Sequence, residues 1–119
     1  MRLDRIVLAA NDMDAMVDFY NAVFDSKLRS TDGSPLVLGV LAGTDLVLCP
    51  NTIAGVVAEQ NRHQLRFTSE DPESTANRVL AAGGSIVNRG HDNDRLVIGI
   101  ADPDGNTYEL VGSHTSGLT

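Results

Sequence analysis

The chain has 119 residues, enough for one domain with a real core but not for two independent ones. Sixteen acidic residues against nine basic ones give a formal charge of -7, a field that repels a nucleic-acid backbone. The 42% hydrophobic and 21% charged content argues against disorder, and with three Phe, two Tyr and no Trp, stacking platforms are scarce.

In chain order, the first predicted strand runs from Leu3 to Ala9, rich in Ile, Val and Leu. Asn11 or Asp12 then caps a helix, whose apolar residues Met13, Met16, Val17, Tyr20, Val23 and Phe24 share one face. Three strands are predicted next: a weak one over Lys27–Ser30, then Pro35–Ala42, then Thr44–Cys49 across a hairpin at Gly43. Pro50-Asn51 ends the unit.

The same order then repeats. Gln64–Thr68 reads as a strand, and Asp71-Pro72 caps and opens a helix with Ala76, Val79 and Leu80 on its apolar stripe. Gly83-Gly84 stops that helix, and strands follow over Ser85–Arg89, Arg95–Ala101 and Thr107–Val111. Asp12 matches Asp71, Arg5 falls on Gln64, and Gly43–Leu48 aligns with Gly105–Leu110. Two copies of a βαβββ unit are what such a match describes. The division is one domain over 1–112, with module one at 1–51, a linker at 52–61, module two at 62–112, and a polar tail at 113–119.

Several residues carry plain readings. Cys49 is the only cysteine, so no intrachain disulfide forms, and a lone buried cysteine is usually a small hydrophobe rather than a nucleophile. Asp102-Pro103-Asp104-Gly105-Asn106 reads as a tight turn, because its glycine comes too early for a calcium loop and no Glu closes it. His91 and His114 are expected in an exposed loop and tail. The arginines are scattered, Lys27 is the single lysine, and no apolar run could span a bilayer. No signal-peptide pattern opens the sequence, so a cytoplasmic protein is expected.

Leu3-Asp4-Arg5-Ile6-Val7-Leu8, Asn11-Asp12-Met13, Asp18-Phe19-Tyr20 and above all Ala101-Asp102-Pro103-Asp104-Gly105-Asn106-Thr107-Tyr108-Glu109-Leu110 resemble the vicinal-oxygen-chelate superfamily of glyoxalases, bleomycin-resistance proteins and extradiol dioxygenases. Phe67, Asp71 and Ala81-Ala82-Gly83-Gly84 fall where a second module would place them, and the resemblance runs from Leu3 to Val111. It implies an α+β fold in which two tandem βαβββ modules form a cup-shaped, partly open β-barrel with helices outside. Alternation along the strands then sorts the residues. Ile6, Leu8, Leu46, Leu48, Leu65, Phe67, Tyr108 and Leu110 should face the helices. Arg5, Val7, Asp45, Val47, Cys49, Gln64, Arg66, Thr68, Thr107, Glu109 and Val111 should face the cup. The first set is apolar and the second mixed, a contrast that supports the assignment without the family.

Many members hold a divalent metal at four positions, which here carry Arg5, Val47, Gln64 and Glu109. Gln64 and Glu109 are acceptable ligands if a metal binds. Arg5 has no lone pair and Val47 no donor, so no cofactor is expected. His63 could join only by a register slip that would turn Leu65 and Phe67 into the cavity. If Arg5 and Glu109 converge, the guanidinium takes the place of the metal's charge, either as a structural ion pair or, with Arg66, as donors to an anionic or carbonyl-bearing ligand. Glu109 is the only candidate base, and Arg5 beside it would weaken it.

Two functional readings stay open. One is a metal-free pocket for a small anionic or carbonyl ligand, lined by Arg5, Val47, Gln64, Arg66 and Glu109. The other is a metal-dependent lyase, isomerase or dioxygenase resembling glyoxalase, or a metal-free enzyme using Glu109. Poor aromatic supply counts against large planar ligands. A half-open cup leaves sheet edges uncovered, so a two-fold homodimer is expected, with neither nucleic acid nor membrane as partner.

Overall fold

Hydrogen-bonded register, more than any single strand, shows the duplication. In the computed structural model, which describes residues 1–55 and 63–113, β1 (Arg5–Ala10), α1 (Met13–Phe24), β2 (Arg29–Ser30), β3 (Val37–Leu41) and β4 (Thr44–Pro50) make the first unit. A short helix α2 (Asn51–Ala54) follows. β5 (Leu65–Ser69), α3 (Pro72–Ala81), β6 (Ser85–Asp92), β7 (Arg95–Ala101) and β8 (Thr107–Gly112) make the second. Each unit folds into its own four-stranded sheet, ordered β1-β4-β3-β2 and β5-β8-β7-β6. The first strand runs parallel to the last in both, with Ile6 opposite Leu46 and Leu65 opposite Tyr108. These are the positions that the two sequence alignments equate.

Local chemistry accounts for the element ends. Asp12 caps α1 by accepting from the Ala15 amide at 3.2 Å, and Asp71 caps α3 by accepting from Ser74 at 3.1 Å. Pro72 fills the first turn of α3, where no amide is required. β6 and β7 join through Asn93, whose φ of 57° suits an asparagine in a tight turn.

Ile6, Leu8, Leu46, Leu48, Leu65, Phe67, Tyr108 and Leu110 all turn to one core, shared with Met16, Phe19, Tyr20 and Val23 of α1 and Ala76 and Val79 of α3. The helix-facing assignment therefore holds. All three phenylalanines and both tyrosines join a single cluster, with Phe24 5.0 Å from Phe67 and Phe67 5.8 Å from Tyr108 between ring centres. Each such pair adds about 0.5–1.5 kcal/mol beyond its buried area. The cluster joins the units, because Phe19, Tyr20 and Phe24 lie on α1 while Phe67 and Tyr108 lie on the second sheet.

A polar link runs beside it. The Tyr20 hydroxyl donates to Asp102 at 2.7 Å and shares a hydrogen bond with the Tyr108 hydroxyl at 2.7 Å. Asp102 also accepts from the Asp104 amide, the Asn106 amide and Asn106 Nδ2 at 2.8–3.0 Å. Asp104 in turn accepts from the Asn11 amide at 2.6 Å, at the entry to α1. The expected tight turn is there, and it also fastens the second unit to the first. Burial pushes the Tyr20 and Asp102 groups upward, and holds Tyr108 at about 12.

The sheets stay open and separate; neither closes into a barrel nor pairs with the other. The molecule measures 54 × 30 × 23 Å, with a radius of gyration of 15.0 Å. A compact chain of this size comes to about 13 Å. Some expected elements differ. α2 occupies part of the stretch read as linker, because Pro50 ends the ladder and Gly55 can close a single helical turn in the left-handed region. β2 shrinks to two residues, and β6 extends to Asp92, so His91 lies in an exposed strand and not a loop. Residues 56–62 of the expected linker, and His114 with the rest of the tail to Thr119, lie outside the described residues.

Candidate active site

The faces turned away from the core carry the candidate residues. On the first sheet Arg5 pairs in register with Asp45, and Val7 with Val47. Leu38 lies opposite Val47 and Val40 opposite Asp45, so all of these share one face. β2 adds Arg29 opposite Leu38. This face forms a cleft of about 390 Å³ lined by Arg5, Lys27, Arg29, Asp45 and Val47, with Ser26 and Gly39 among its remaining walls. Three of the chain's nine basic residues meet here around a single carboxylate.

The second sheet's open face is built differently. Arg66 lies opposite Glu109. It donates through Nε to Glu109 at 3.1 Å and through its terminal nitrogen to Asp92 at 2.7 Å. These pairs keep the guanidinium charged, with Asp92 the larger influence. All three side chains are partly solvated, so the pairs orient the side chains more than they stabilise the fold. Gln64 donates to the Thr107 hydroxyl at 2.5 Å. β5 keeps Leu65 and Phe67 in the core, so His63 has not been drawn inward by a slipped register and stays exposed.

The structure therefore sorts the expected ligand-binding residues into two groups. Arg5 and Val47 share the first cleft; Arg66 and Glu109 lie on the other sheet, with Gln64 just before β5 and bonded to Thr107 of β8. Arg5 and Glu109, expected to converge, stand on separate sheets of the chain, and Glu109 is held by Arg66 instead. Cys49 is buried opposite Ala9 and carries a free thiol. The reading of residues had missed Ser26, Lys27 and Arg29. No pattern in the sequence marks them: Lys27 has left-handed backbone and lies outside the two-residue β2, so strand alternation does not pair it with Arg29.

Of Arg5, Val47, Gln64 and Glu109, the four positions at which the resemblance implies metal ligands, only Gln64 and Glu109 have side-chain lone pairs for a metal, and the Glu109 carboxylate is already engaged by Arg66. Among the described residues no group of three or more His, Cys, Asp or Glu side chains is placed to hold a metal ion. This donor set does not fit a catalytic divalent site, which ordinarily has three protein ligands. No helix among the described residues is long and apolar enough to cross a membrane.

Comparison with solved structures supports the same architecture. A glyoxalase-related enzyme from Fulvimarina pelagi superposes with a TM-score of 0.76 at 19% identity, covering 95% of this chain and 88% of that one. The fosfomycin resistance protein FosX from Mesorhizobium loti gives 0.73 at 17% identity, covering 98% and 96%. Lactoylglutathione lyase from Agrobacterium tumefaciens gives 0.68 at 21% identity, covering 94% and 93%. Identities this low speak for the fold alone. No curated protein matches the sequence. The glyoxalase-like domain model, however, matches residues 5–111, nearly the whole of both βαβββ units. By that match and the duplicated register, the chain belongs to the glyoxalase-like domain family of the vicinal-oxygen-chelate superfamily.

Proposed function

We propose that this protein binds a small anionic or carbonyl-bearing ligand on the open face of the first sheet, without a resident metal. The observation that carries this is the cleft where Arg5, Lys27 and Arg29 surround one carboxylate, Asp45, in a chain of charge -7. Like charges gathered at one concavity repel each other, and a bound anion relieves that repulsion. None of the three takes part in an ion pair among the described residues. Arg5 presents a planar fork of donors suited to a carboxylate or a polarised carbonyl. Because every aromatic side chain is committed to the core cluster, a compact ligand suits the cleft better than a flat extended one.

A second reading makes the protein a metal-dependent lyase, isomerase or dioxygenase, or an enzyme using Glu109 as base. Gln64, immediately before β5, and Glu109 on the neighbouring β8 are what favour it. Melting temperature after chelation, then with excess manganese, nickel, zinc or iron(II), separates the readings by mass action. No shift with any of them is expected. A saturable rise with one metal would overturn the metal-free reading in favour of the lyase or dioxygenase. Arg5→Ala should weaken binding of small anions while the fold survives; unchanged affinity would remove Arg5 as the anchor.

The same faces support a homodimer. Val7, Leu38, Val40 and Val87 are exposed apolar side chains on strands, and β1 and β5 each leave one edge unpaired among the described strands. A second copy related by a two-fold axis would cover both edges at once. Light scattering that gives a dimer mass at micromolar concentration is the expected result, and a monomer mass would count against it.

A further inference from the structure

We propose that the cleft contains a subsite for a dianionic tetrahedral oxyanion of the phosphomonoester class, formed by Ser26 and Lys27 with Arg29 and Arg5. This deepens the ligand-binding reading above and rests on it.

Asp25, Ser26 and Lys27 lead the chain out of α1. Asp25 and Lys27 both adopt left-handed backbone, with φ of 51° and 53°, on either side of Ser26. At Asp25 this closes the helix, and its amide returns to the Tyr20 carbonyl. Lys27 has no such excuse: a long side chain on a left-handed backbone is strained, and strain of this kind gathers at sites of use. The segment is pressed against β3, where the Val40 amide donates to the Ser26 carbonyl at 2.8 Å. Gly39 permits the approach, since a Cβ there would sit 2.3 Å from the Ser26 carbonyl oxygen.

What the segment presents is a buried hydroxyl with nothing to bond. Ser26 is fully buried and lines the cleft, yet its Oγ has no partner among the described residues. Buried hydroxyls are ordinarily satisfied, so an orphan at the wall of a cationic cleft points to a missing acceptor. The charge count then selects among acceptors. Arg5, Lys27 and Arg29 against Asp45 leave an excess of two positive charges. A phosphoryl dianion balances them, with oxygens to spare for the Ser26 hydroxyl; a single carboxylate balances only half.

The test uses methyl phosphate, inorganic phosphate, sulfate and acetate, titrated calorimetrically into the whole chain at pH 7.5 and pH 5.0. The second ionisation of a phosphomonoester lies near about pH 6, so the dianion is lost between these values, whereas sulfate keeps its charge. The charged groups lining the cleft are Arg5 on β1, Lys27 before β2, Arg29 on β2 and Asp45 on β4, and no histidine is among them. A fall in methyl phosphate affinity at pH 5.0 with sulfate unchanged is therefore expected, with acetate weaker than either. Methyl phosphate binding more tightly than inorganic phosphate would identify an esterified ligand, and the reverse would identify the free ion; either result supports the subsite.

Ser26→Ala should weaken methyl phosphate binding about tenfold or more, as loss of a hydrogen bond to a charged group does. It should also raise the melting temperature of the free protein, because the orphan hydroxyl is gone. Lys27→Gly, which suits the left-handed backbone, should keep the fold and lose the same affinity. Equal affinity for acetate and methyl phosphate, no pH effect, or no loss in both variants would overturn the dianion subsite while leaving the anion-binding reading intact. Failure of all four anions to bind would overturn both.

Discussion

Replacing Asp102 by alanine should cost about 2–4 kcal/mol of stability, more than any other single polar substitution in the turn. Asp102 is 4% exposed and accepts from four donors. Without it, Tyr20 keeps its bond to Tyr108, and the Asp104 amide lies close enough to the surface to find water. The backbone and side-chain nitrogens of buried Asn106 are left with nothing. Two buried orphan donors cost about 1–3 kcal/mol each, offset in part because a carboxylate no longer has to be desolvated. For a domain of this length the net loss corresponds to a fall of roughly 10–15 °C in melting temperature. Urea unfolding should show it as a lower midpoint at an unchanged slope. Tyr20→Phe removes only one of the four donors, though it also takes the acceptor from the Tyr108 hydroxyl, and should cost about 1–2 kcal/mol. If Tyr20→Phe proved as damaging as Asp102→Ala, the turn would not be organised by the carboxylate and the reasoning would fail.

Four further outcomes are expected, two at the Asp102 turn and two where the segment after α1 meets β3. Because burial raises the folded-state value of Asp102, its contribution to stability is complete below the ordinary carboxylate range and is lost as pH rises through the raised value. Urea midpoints for the native chain should therefore carry a declining component above about pH 4 that Asp102→Asn lacks; identical pH profiles would count against it. In alkali, tyrosines of the unfolded chain ionise near about pH 10 while Tyr108 holds its proton to about 12. Stability should fall across that interval, and less steeply in Tyr108→Phe, as read by circular dichroism. Gly39→Ala should lose several kcal/mol, on the order of 3 or more, since its Cβ would meet the Ser26 carbonyl; Lys27→Gly should instead gain about 0.5–1 kcal/mol by relieving its left-handed backbone.

The parts of this fold that rest on neighbours in sequence were legible, and those that rest on distant contacts were not. Asp12 and Asp71 are short polar residues before apolar periodic runs; Asp71 caps as read, and Asp12 is the one of the Asn11–Asp12 pair that caps. Alternation sorted Leu46 and Leu48 from Asp45 and Val47, because strand geometry leaves no other arrangement. The turn at Asp102 was readable as a turn from its Pro and Gly, but its hold on Tyr20 and Asn11 depends on residues far away in sequence. Ser26 and Lys27 were illegible for a different reason: Lys carries no mark of a left-handed backbone, and only the proximity of Gly39 shows how the segment is held. Arg5 and Glu109 were assigned to a common cavity from the family's architecture. The partner that Glu109 takes is Arg66, directly opposite it in register, and a family's architecture does not encode that pairing.

The fastening between the Asp102–Asn106 turn and α1 has a consequence for synthesis on the ribosome. Asn11 and Asp104 lie 93 residues apart, and Tyr20 and Tyr108 lie 88 apart. Until the Asp102 turn and the final strand have been translated, α1 has neither the carboxylate that receives the Tyr20 hydroxyl nor the Tyr108 hydroxyl that bonds with it. The first unit must then wait with aromatic surface uncovered, in the interval when nascent chains are most exposed to aggregation. Closing so distant a contact is slow compared with forming the local hairpins. Assembly of the two halves is thus timed by translation of the Asp102 turn and β8, and a ribosome stalled before Asp102 would hold a first unit whose central helix has no complete core to enter.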